Sequence, residues 1–250
     1  MNELDLLMNL HINNKRQGPG GNYETRLALS LSTINTNQPL KIADIGCGTG
    51  AQTKILAQEL KGEIIAIDLF KEFLTKLKQD LSKVKVTAQV FTLQTSMDSL
   101  PFEKESLDLI WSEGAIYNIG FKKGIYYWKD FLKPNGILAV SEITWTTQQR
   151  PEEITRFWEN DYPEIDTASN KIKVLEEAGF QVLGFFILPE SCWIDNYYKP
   201  LQANQDNFLK VYGHLPEAQA LIEHDKKEFE LYMKYKNYYS YGFYIAKKVS

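Results

Sequence analysis

The sequence predicts an α/β fold with a mostly parallel, seven-stranded sheet, helices on both faces and an antiparallel last strand. Short apolar segments alternate with amphipathic ones between residues 40 and 143. The apolar segments are hydrophobic at consecutive positions, which is typical of strands that are buried on both faces. A glycine cluster follows the first of them, where an α/β sheet binds its ligands. The 250 residues, 44% of them hydrophobic, suffice to bury the core of one such domain.

Five of the predicted strands lie in the first part of the chain and two close it. In chain order they are LKIADIG, EIIAIDL, VTAQVFTL, LDLIWSE, ILAVSEI, FQVLGFFIL and YSYGFYIAKK. Apolar side chains between the strands recur at helical spacing, as at Phe70, Phe73 and Leu77. We therefore expect the strands to alternate with helices up to the fifth strand.

We interpret residues 1–250 as a single domain with additions at three places. Residues 1–35 form two helices that are joined by the turn Gly18-Pro19-Gly20-Gly21, and they are expected to act as a lid. Residues 144–166 and 189–238 are insertions with helical patterns, expected to cover the same edge of the sheet as the glycine cluster.

Composition argues against several classes of protein. The formal net charge is −4 and no long basic stretch is present, which disfavours a nucleic-acid partner. Cys47 and Cys192 are far apart, so the sequence predicts neither a disulfide framework nor a metal site. No apolar run is long enough for a membrane span, and we expect a cytoplasmic protein.

The glycine cluster reads Asp44-Ile45-Gly46-Cys47-Gly48-Thr49-Gly50, and Asp68 lies 20 positions after its middle glycine at the end of the second strand. Glycines let the backbone approach a nucleotide, and the carboxylate suits ribose hydroxyls. Gly46, Gly48 and Ala51 also fit the looser pattern of nicotinamide-binding proteins. Two features favour S-adenosylmethionine over a nicotinamide cofactor. Asp44 could hold an ammonium group, and the cluster has a third glycine, Gly50.

The cluster resembles the (D/E)-x-G-x-G-x-G motif of class I S-adenosylmethionine-dependent methyltransferases. The resemblance extends through IAIDL, SMDSLPF and LDLIWSEGAIYNIG to FLKPNGILAVSE, and it is strongest to small-molecule enzymes of the ubiquinone and menaquinone type and to uncharacterised bacterial members. It implies a Rossmann-like fold, S-adenosylmethionine as cofactor and S-adenosylhomocysteine as product.

The resemblance also implies a role for each position along the cofactor. Asp44 would hold the methionine amine, directly or through water, and Asp68 would bind the ribose hydroxyls. Ser96 stands where the family often has an acidic residue for the adenine amine, so that contact would be weaker or would pass through another group. The remaining positions would contact the methionine and ribose (Gly46, Cys47 and Gly48), the adenine (Leu69 and Met97, with Asp98 near) or the place where methyl group and acceptor meet (Ser112, Glu113 and Gly114).

The N-terminal glycine turn allows two interpretations. Its backbone N–H groups could form a nest for the methionine carboxylate, with Gln17 and Gly18 as contacts and Arg16 assisting. Alternatively, it is a simple turn between two helices.

The candidate catalytic residues are Glu113, Tyr117 and His214. Glu113 lies at the end of the fourth strand, where it could act as a base or orient the loop. Tyr117 follows it and could donate or orient, and His214 could reach over the pocket from the second insertion. Because the cofactor supplies an activated methyl group, a missing base would not argue against activity.

The acceptor is expected to be a small, partly apolar molecule, and a homodimer is a further expectation. Aromatic residues of the insertions either line an apolar acceptor pocket or pack the insertions onto the sheet: Trp145, Trp158, Tyr162, Trp193, Tyr197 and Tyr198. Two other classes stay open, a nicotinamide-dependent oxidoreductase and a protein that binds S-adenosylmethionine without catalysis.

Overall fold

A computed structural model describes residues 2–249 as one mixed sheet between layers of helices. The sheet order is β3-β2-β1-β4-β5-β8-β7. The strands are β1 (Pro39–Ile45), β2 (Lys61–Asp68), β3 (Gln89–Gln94), β4 (Leu107–Glu113), β5 (Leu132–Trp145), β6 (Asp166–Thr167), β7 (Phe180–Ile187) and β8 (Tyr239–Lys248).

Parallel pairing runs from β3 to β5, and β8 is antiparallel to both of its neighbours, β5 and β7. The predicted mostly parallel sheet and antiparallel last strand are therefore confirmed. The two-residue β6, which pairs with the end of β5, is an addition that the sequence pattern did not predict.

Ten α-helices are assigned in residues 2–249. They are α1 (Glu3–His11), α2 (Asn22–Leu31), α3 (Ala51–Glu59), α4 (Lys71–Leu81), α5 (Phe121–Lys129), α6 (Glu152–Asp161), α7 (Ala168–Glu177), α8 (Glu190–Trp193), α9 (Lys199–Tyr212) and α10 (Pro216–Tyr235). A 3₁₀ turn covers Ile116–Asn118, and a π-helical segment, Ile194–Tyr198, joins α8 to α9. Where the sequence indicated one helix between residues 189 and 238, the structure has these several segments.

Alternate residues of each central strand enter two separate cores. Ile42, Leu109 and Ala139 belong to a core that includes side chains of α2 and α3. Their neighbours Ala43 and Ile110 belong to another, which includes side chains of α5 and α7. Burial on both faces explains why the strand sequences are continuously hydrophobic rather than alternating. No helix within residues 2–249 combines the length and hydropathy that a membrane crossing requires.

Candidate functional site

The cavity of interest opens at the carboxyl ends of the central strands and has a volume of about 1070 Å³. Its floor is formed by the loops that follow β1, β2 and β4. Its other walls come from α1 with the segment that follows it, from Tyr197 in the π-helical segment, and from α10. The volume exceeds what one small ligand usually occupies, so a nucleotide and a second molecule fit together.

The glycine loop has the backbone shape that the sequence predicts. Gly46, Gly48 and Gly50 all have positive φ, at 71°, 56° and 81°. A β-carbon at Gly46 would lie 2.4 Å from the Ala115 Cβ, and one at Gly48 would lie 2.2 Å from the Gln17 Oε1. The loop therefore requires glycine for its conformation and for its close contacts.

Cys47 lines the cavity between these glycines and is buried. Burial raises the pKa of its thiol well above the ordinary value. A thiol that stays protonated is a weak nucleophile, so Cys47 serves as a small loop residue.

Asp68 links the end of β2 to the glycine loop. Its Oδ2 accepts a hydrogen bond from the Gly48 N–H at 2.8 Å, and its Oδ1 accepts one from the Phe70 N–H at 3.0 Å. Each carboxylate oxygen has a second lone pair, and the residue lines the cavity. Asp68 can therefore hold the loop and accept from ribose hydroxyls at the same time.

Asp44 lies behind the loop and does not line the cavity. Its carboxyl accepts hydrogen bonds from the Thr53 hydroxyl at 2.5 Å and the Gln52 amide at 3.2 Å. Burial raises its pKa to about 7. Direct contact with a methionine amine therefore does not fit this geometry, and Gln52, which does line the cavity, is the group that Asp44 positions.

The loop after β3 supplies the opposite wall of the nucleotide half. Ser96, Met97 and Asp98 line the cavity, and Leu69 faces it with half of its surface exposed. The Ser96 hydroxyl donates to Asp98 Oδ1 at 2.6 Å. This bond brings a carboxylate next to the position where the family often has its acidic residue.

The N-terminal segment closes over the glycine loop through Gln17. The Thr49 N–H donates to Gln17 Oε1 at 2.8 Å, and the Gln17 amide donates back to the Thr49 hydroxyl at 3.1 Å. Gly18 also lines the cavity. None of Gly18, Gly20 and Gly21 has positive φ, so the alternating geometry of an anion nest is not formed.

Glu113 is engaged by three donors. Its Oε2 accepts from Arg16 Nη1 at 2.8 Å, and its Oε1 accepts from the Thr25 hydroxyl at 2.7 Å and from Trp111 Nε1 at 2.9 Å. The Arg16 and Glu113 side chains are only 8% and 5% exposed. These contacts support a positioning role for Glu113 rather than the role of a base, because Glu113 anchors the N-terminal segment to the end of β4.

The other residues near the end of β4 divide between the cavity and the core. Gly114 and Tyr117 line the cavity, and the Gly114 N–H donates to the Ser141 hydroxyl at 2.8 Å. Ser112 is fully buried and does not line it. Ser112 therefore does not contact a ligand in the cavity directly.

His214 is not brought to the site. It is exposed in the turn between α9 and α10 and is not among the described residues that line the cavity. The expectation that it reaches over the pocket is wrong, because His214 lies in the exposed turn before α10, whereas the face of α10 that lines the cavity begins at Glu217. The structure therefore gives His214 no catalytic contact.

The aromatic residues of the insertions mostly pack the core. Trp145, Trp158, Trp193 and Tyr198 are at most 7% exposed. Of the six predicted candidates, Tyr197 is the one that lines the cavity among the described residues. The packing interpretation therefore holds for most of them.

The sequence analysis missed a polar wall that α10 contributes. Its residues recur at helical spacing along one face: Glu217, Ala220, Leu221, His224, Asp225 and Glu228. Asp225 is 9% exposed, and its Oδ2 has no hydrogen-bond partner within residues 2–249. Burial, and then the charge of Glu228, raises the pKa of Asp225 from 3.8 to about 7.

This pKa shift predicts a pH-dependent effect of Asp225→Asn. A raised carboxyl pKa contributes stability that is complete below pH 3.8 and is lost as the pH rises to about 7. The amide side chain of the variant does not ionise. We therefore expect the free energy of unfolding of the variant, relative to that of the wild type, to be at least about 1 kcal/mol higher at pH 8 than at pH 4. Urea unfolding at both pH values measures it, with the exposed Asp206→Asn as control. An equal difference at both pH values would contradict the burial of an ionising Asp225.

Comparisons with known proteins agree with this arrangement. Residues 43–140 match the model of a methyltransferase domain family. A ubiquinone/menaquinone biosynthesis C-methyltransferase of Wigglesworthia glossinidia brevipalpis is 29% identical over 118 residues, which cover 44% of this chain and 45% of that protein. The chloroplastic tocopherol O-methyltransferase of Arabidopsis thaliana is 27% identical over 175 residues, 68% of this chain and 44% of that protein.

The chain thus spans about half the length of the curated relatives that it matches. Among solved structures, a SAM-dependent methyltransferase from Geobacter sulfurreducens in complex with S-adenosylhomocysteine superposes with a TM-score of 0.78 at 17% identity, covering 98% of this chain and 96% of that one. This structural likeness shows that the two chains share a fold.

Proposed function

We propose that this chain, which carries a class I methyltransferase domain over residues 43–140, transfers a methyl group from S-adenosylmethionine to a small-molecule acceptor. The domain match confirms the resemblance found in the sequence. The observation that carries the proposal is the geometry around Gly48, where a left-handed glycine and the Asp68 carboxylate meet at the floor of the cavity.

The residues of the site fit the cofactor. The glycine loop leaves no room for β-carbons, as a loop that must pass close to a ligand requires. Asp68 offers free lone pairs for two hydroxyls, and Met97 and Leu69 offer apolar surface for adenine. Gln52, fixed by Asp44, supplies a polar group near the methionine end.

When bound, S-adenosylmethionine supplies a methyl carbon that its sulfonium has already activated for in-line displacement. The task of the protein is to align the acceptor with that carbon and to exclude water. The segment that carries Gln17 and Gly18 covers the glycine loop, and Arg16 fixes it to Glu113. Tyr117, at the end of β4, faces the cavity where it can contact an acceptor.

We further propose that the domain organisation inferred from the sequence serves this function. Residues 1–250 act as one domain, with 1–35 as the lid and with 144–166 and 189–238 as the cap over the acceptor. Support comes from cavity walls that include α1, Asp161, Tyr197 and α10. Cytoplasmic location and homodimer formation stay predictions.

Replacing Asp68 tests the cofactor assignment. We expect Asp68→Ala to weaken S-adenosylmethionine binding by roughly 1–3 kcal/mol, because charge-assisted hydrogen bonds to the ribose are lost. Calorimetric titration of folded protein measures the change, and Asp130→Ala, on the exposed end of α5, serves as control. Wild-type affinity in a folded Asp68→Ala protein would refute the ribose assignment.

A further inference from the structure

We propose that the acceptor is a small molecule with an organic ammonium group, and that Asp225 and Glu228 of α10 bind this group while another, nucleophilic atom of the molecule accepts the methyl group. This inference rests on the proposed function, since it names the chemical class that the second half of the cavity receives. The argument starts from the charges on the cavity wall.

The cavity is lined by more carboxyl groups than cations. Among its described residues, Arg16 is the only arginine or lysine, and it is paired with Glu113. The acceptor half carries Asp161, Asp225 and Glu228, of which Asp161 has only the weak neighbour His224 at 4.0 Å. A ligand with a positive charge would supply the missing counter-charge.

Asp225 shows that this half has an unmet hydrogen-bonding requirement. The residue is 91% buried, yet its Oδ2 finds no partner within residues 2–249. Buried polar atoms are nearly always paired, and an unpaired one costs free energy that a ligand can recover. An ammonium group donates the hydrogen bonds that this oxygen lacks.

A second unpaired group faces the same space from α1. His11 lines the cavity, is 7% exposed, and its Nδ1 has no hydrogen-bond partner in the described chain. Burial lowers the pKa of the imidazole to about 4, so His11 is neutral at pH 7 and does not supply the missing charge. It can instead bond to a polar group on the acceptor.

The aromatic side chains next to the carboxyl groups also favour a cation. Tyr197 stacks on His11 with ring centroids 6.1 Å apart and lines the cavity. Tyr197 also packs on Tyr198 with ring centroids 5.0 Å apart, and the Tyr198 hydroxyl donates to Glu228 Oε1 at 2.7 Å. Aromatic faces beside carboxylates are a usual site for an organic ammonium group.

A metal ion is a poorer occupant. No group of three or more His, Cys, Asp and Glu side chains within residues 2–249 has an arrangement that could hold one. Apolar side chains also line this half of the cavity, among them Leu7 and Met8 of α1 and Leu221 of α10. An amine with a hydrocarbon body matches both the charge and the apolar surface.

Calorimetry with matched probes tests the inference. Phenethylamine, 2-phenylethanol and 3-phenylpropionate share one hydrocarbon body and differ in the charge of the end group. Butylamine, butanol and pentanoate repeat the comparison with an aliphatic body. Each is titrated into the full chain with and without saturating S-adenosylhomocysteine. We expect at least one amine to bind about tenfold more tightly than its alcohol, the range of a charge-assisted hydrogen bond.

The same titrations in variants assign the effect to α10. Asp225→Asn and Glu228→Gln should remove the preference for the amine, while Glu223→Gln, exposed on the same helix and not lining the cavity, should retain it. All three should bind S-adenosylhomocysteine as the wild type does.

The inference is overturned if no amine binds, if an alcohol or an acid binds equally well, or if both α10 variants keep the preference. The controls separate this failure from that of the proposed function. Amine selectivity without S-adenosylhomocysteine binding would refute the methyltransferase assignment and would leave an amine site that serves another purpose. S-adenosylhomocysteine binding without amine selectivity would refute only the acceptor class.

Discussion

Gly48→Val is expected to abolish S-adenosylmethionine binding, which corresponds to a loss of at least about a hundredfold in affinity. Gly48 has a φ of 56°, a conformation that costs a β-branched residue roughly 1–3 kcal/mol. Its β-carbon would also lie 2.2 Å from Gln17 Oε1 and would displace the side chain that closes the loop. The backbone strain at this position and the loss of close contact between the loop backbone and the cofactor therefore act together.

Gly179→Val is the matched control for this effect. Gly179 has a φ of 84° at the end of α7 and does not line the cavity. The control therefore imposes the same kind of backbone strain away from the ligand. We expect it to lower stability and to leave the affinity of the folded protein intact, as calorimetry and urea unfolding would show. If Gly48→Val bound normally, the placement of the loop would be wrong.

Arg16→Met is expected to lower the free energy of unfolding by about 3–5 kcal/mol, because it leaves Glu113 as a buried carboxylate without its cation. The two side chains form a bond of 2.8 Å and are only 8% and 5% exposed. Arg26→Met is the control, because the Arg26–Glu59 pair is about half exposed and should be worth at most about 1 kcal/mol.

A double-mutant cycle with Glu113→Gln distinguishes positioning from catalysis. If Glu113 anchors Arg16, the double variant should be less destabilised than the sum of the two single variants. Arg16→Met should then impair methyl transfer to the same degree as Glu113→Gln. Strict additivity in urea unfolding, with turnover lost in Glu113→Gln alone, would instead make Glu113 the catalytic base.

The fold and the nucleotide half could be predicted because their signals are local. Strands buried on both faces are continuously hydrophobic, so β1, β2 and β4 stand out in the sequence. The glycine loop binds its ligand through the backbone geometry of seven consecutive residues, so its sequence reveals it. Asp68 could be identified because it is the last residue of the next strand, β2, which pairs with β1.

The acceptor half could not be predicted because its contacts join distant segments. Glu113 was placed correctly at the end of β4, but its partner Arg16 lies 97 residues earlier. Asp225 and Glu228 have the spacing of an ordinary solvent-facing stripe on a helix, and only the packing of α1 against α9 and α10 makes it a cavity wall. The prediction for His214 was wrong for the same reason, since no local pattern shows that the turn before α10 points away from the cavity.

The central claim is that the cavity binds S-adenosylmethionine, and parallel calorimetric titration with S-adenosylmethionine, S-adenosylhomocysteine and NAD tests it most directly. We expect the first two to bind with dissociation constants on the order of micromolar and NAD not to bind. Binding of NAD alone would contradict the account, because the loop around Gly48 would then serve a dinucleotide and the reaction would be a redox one.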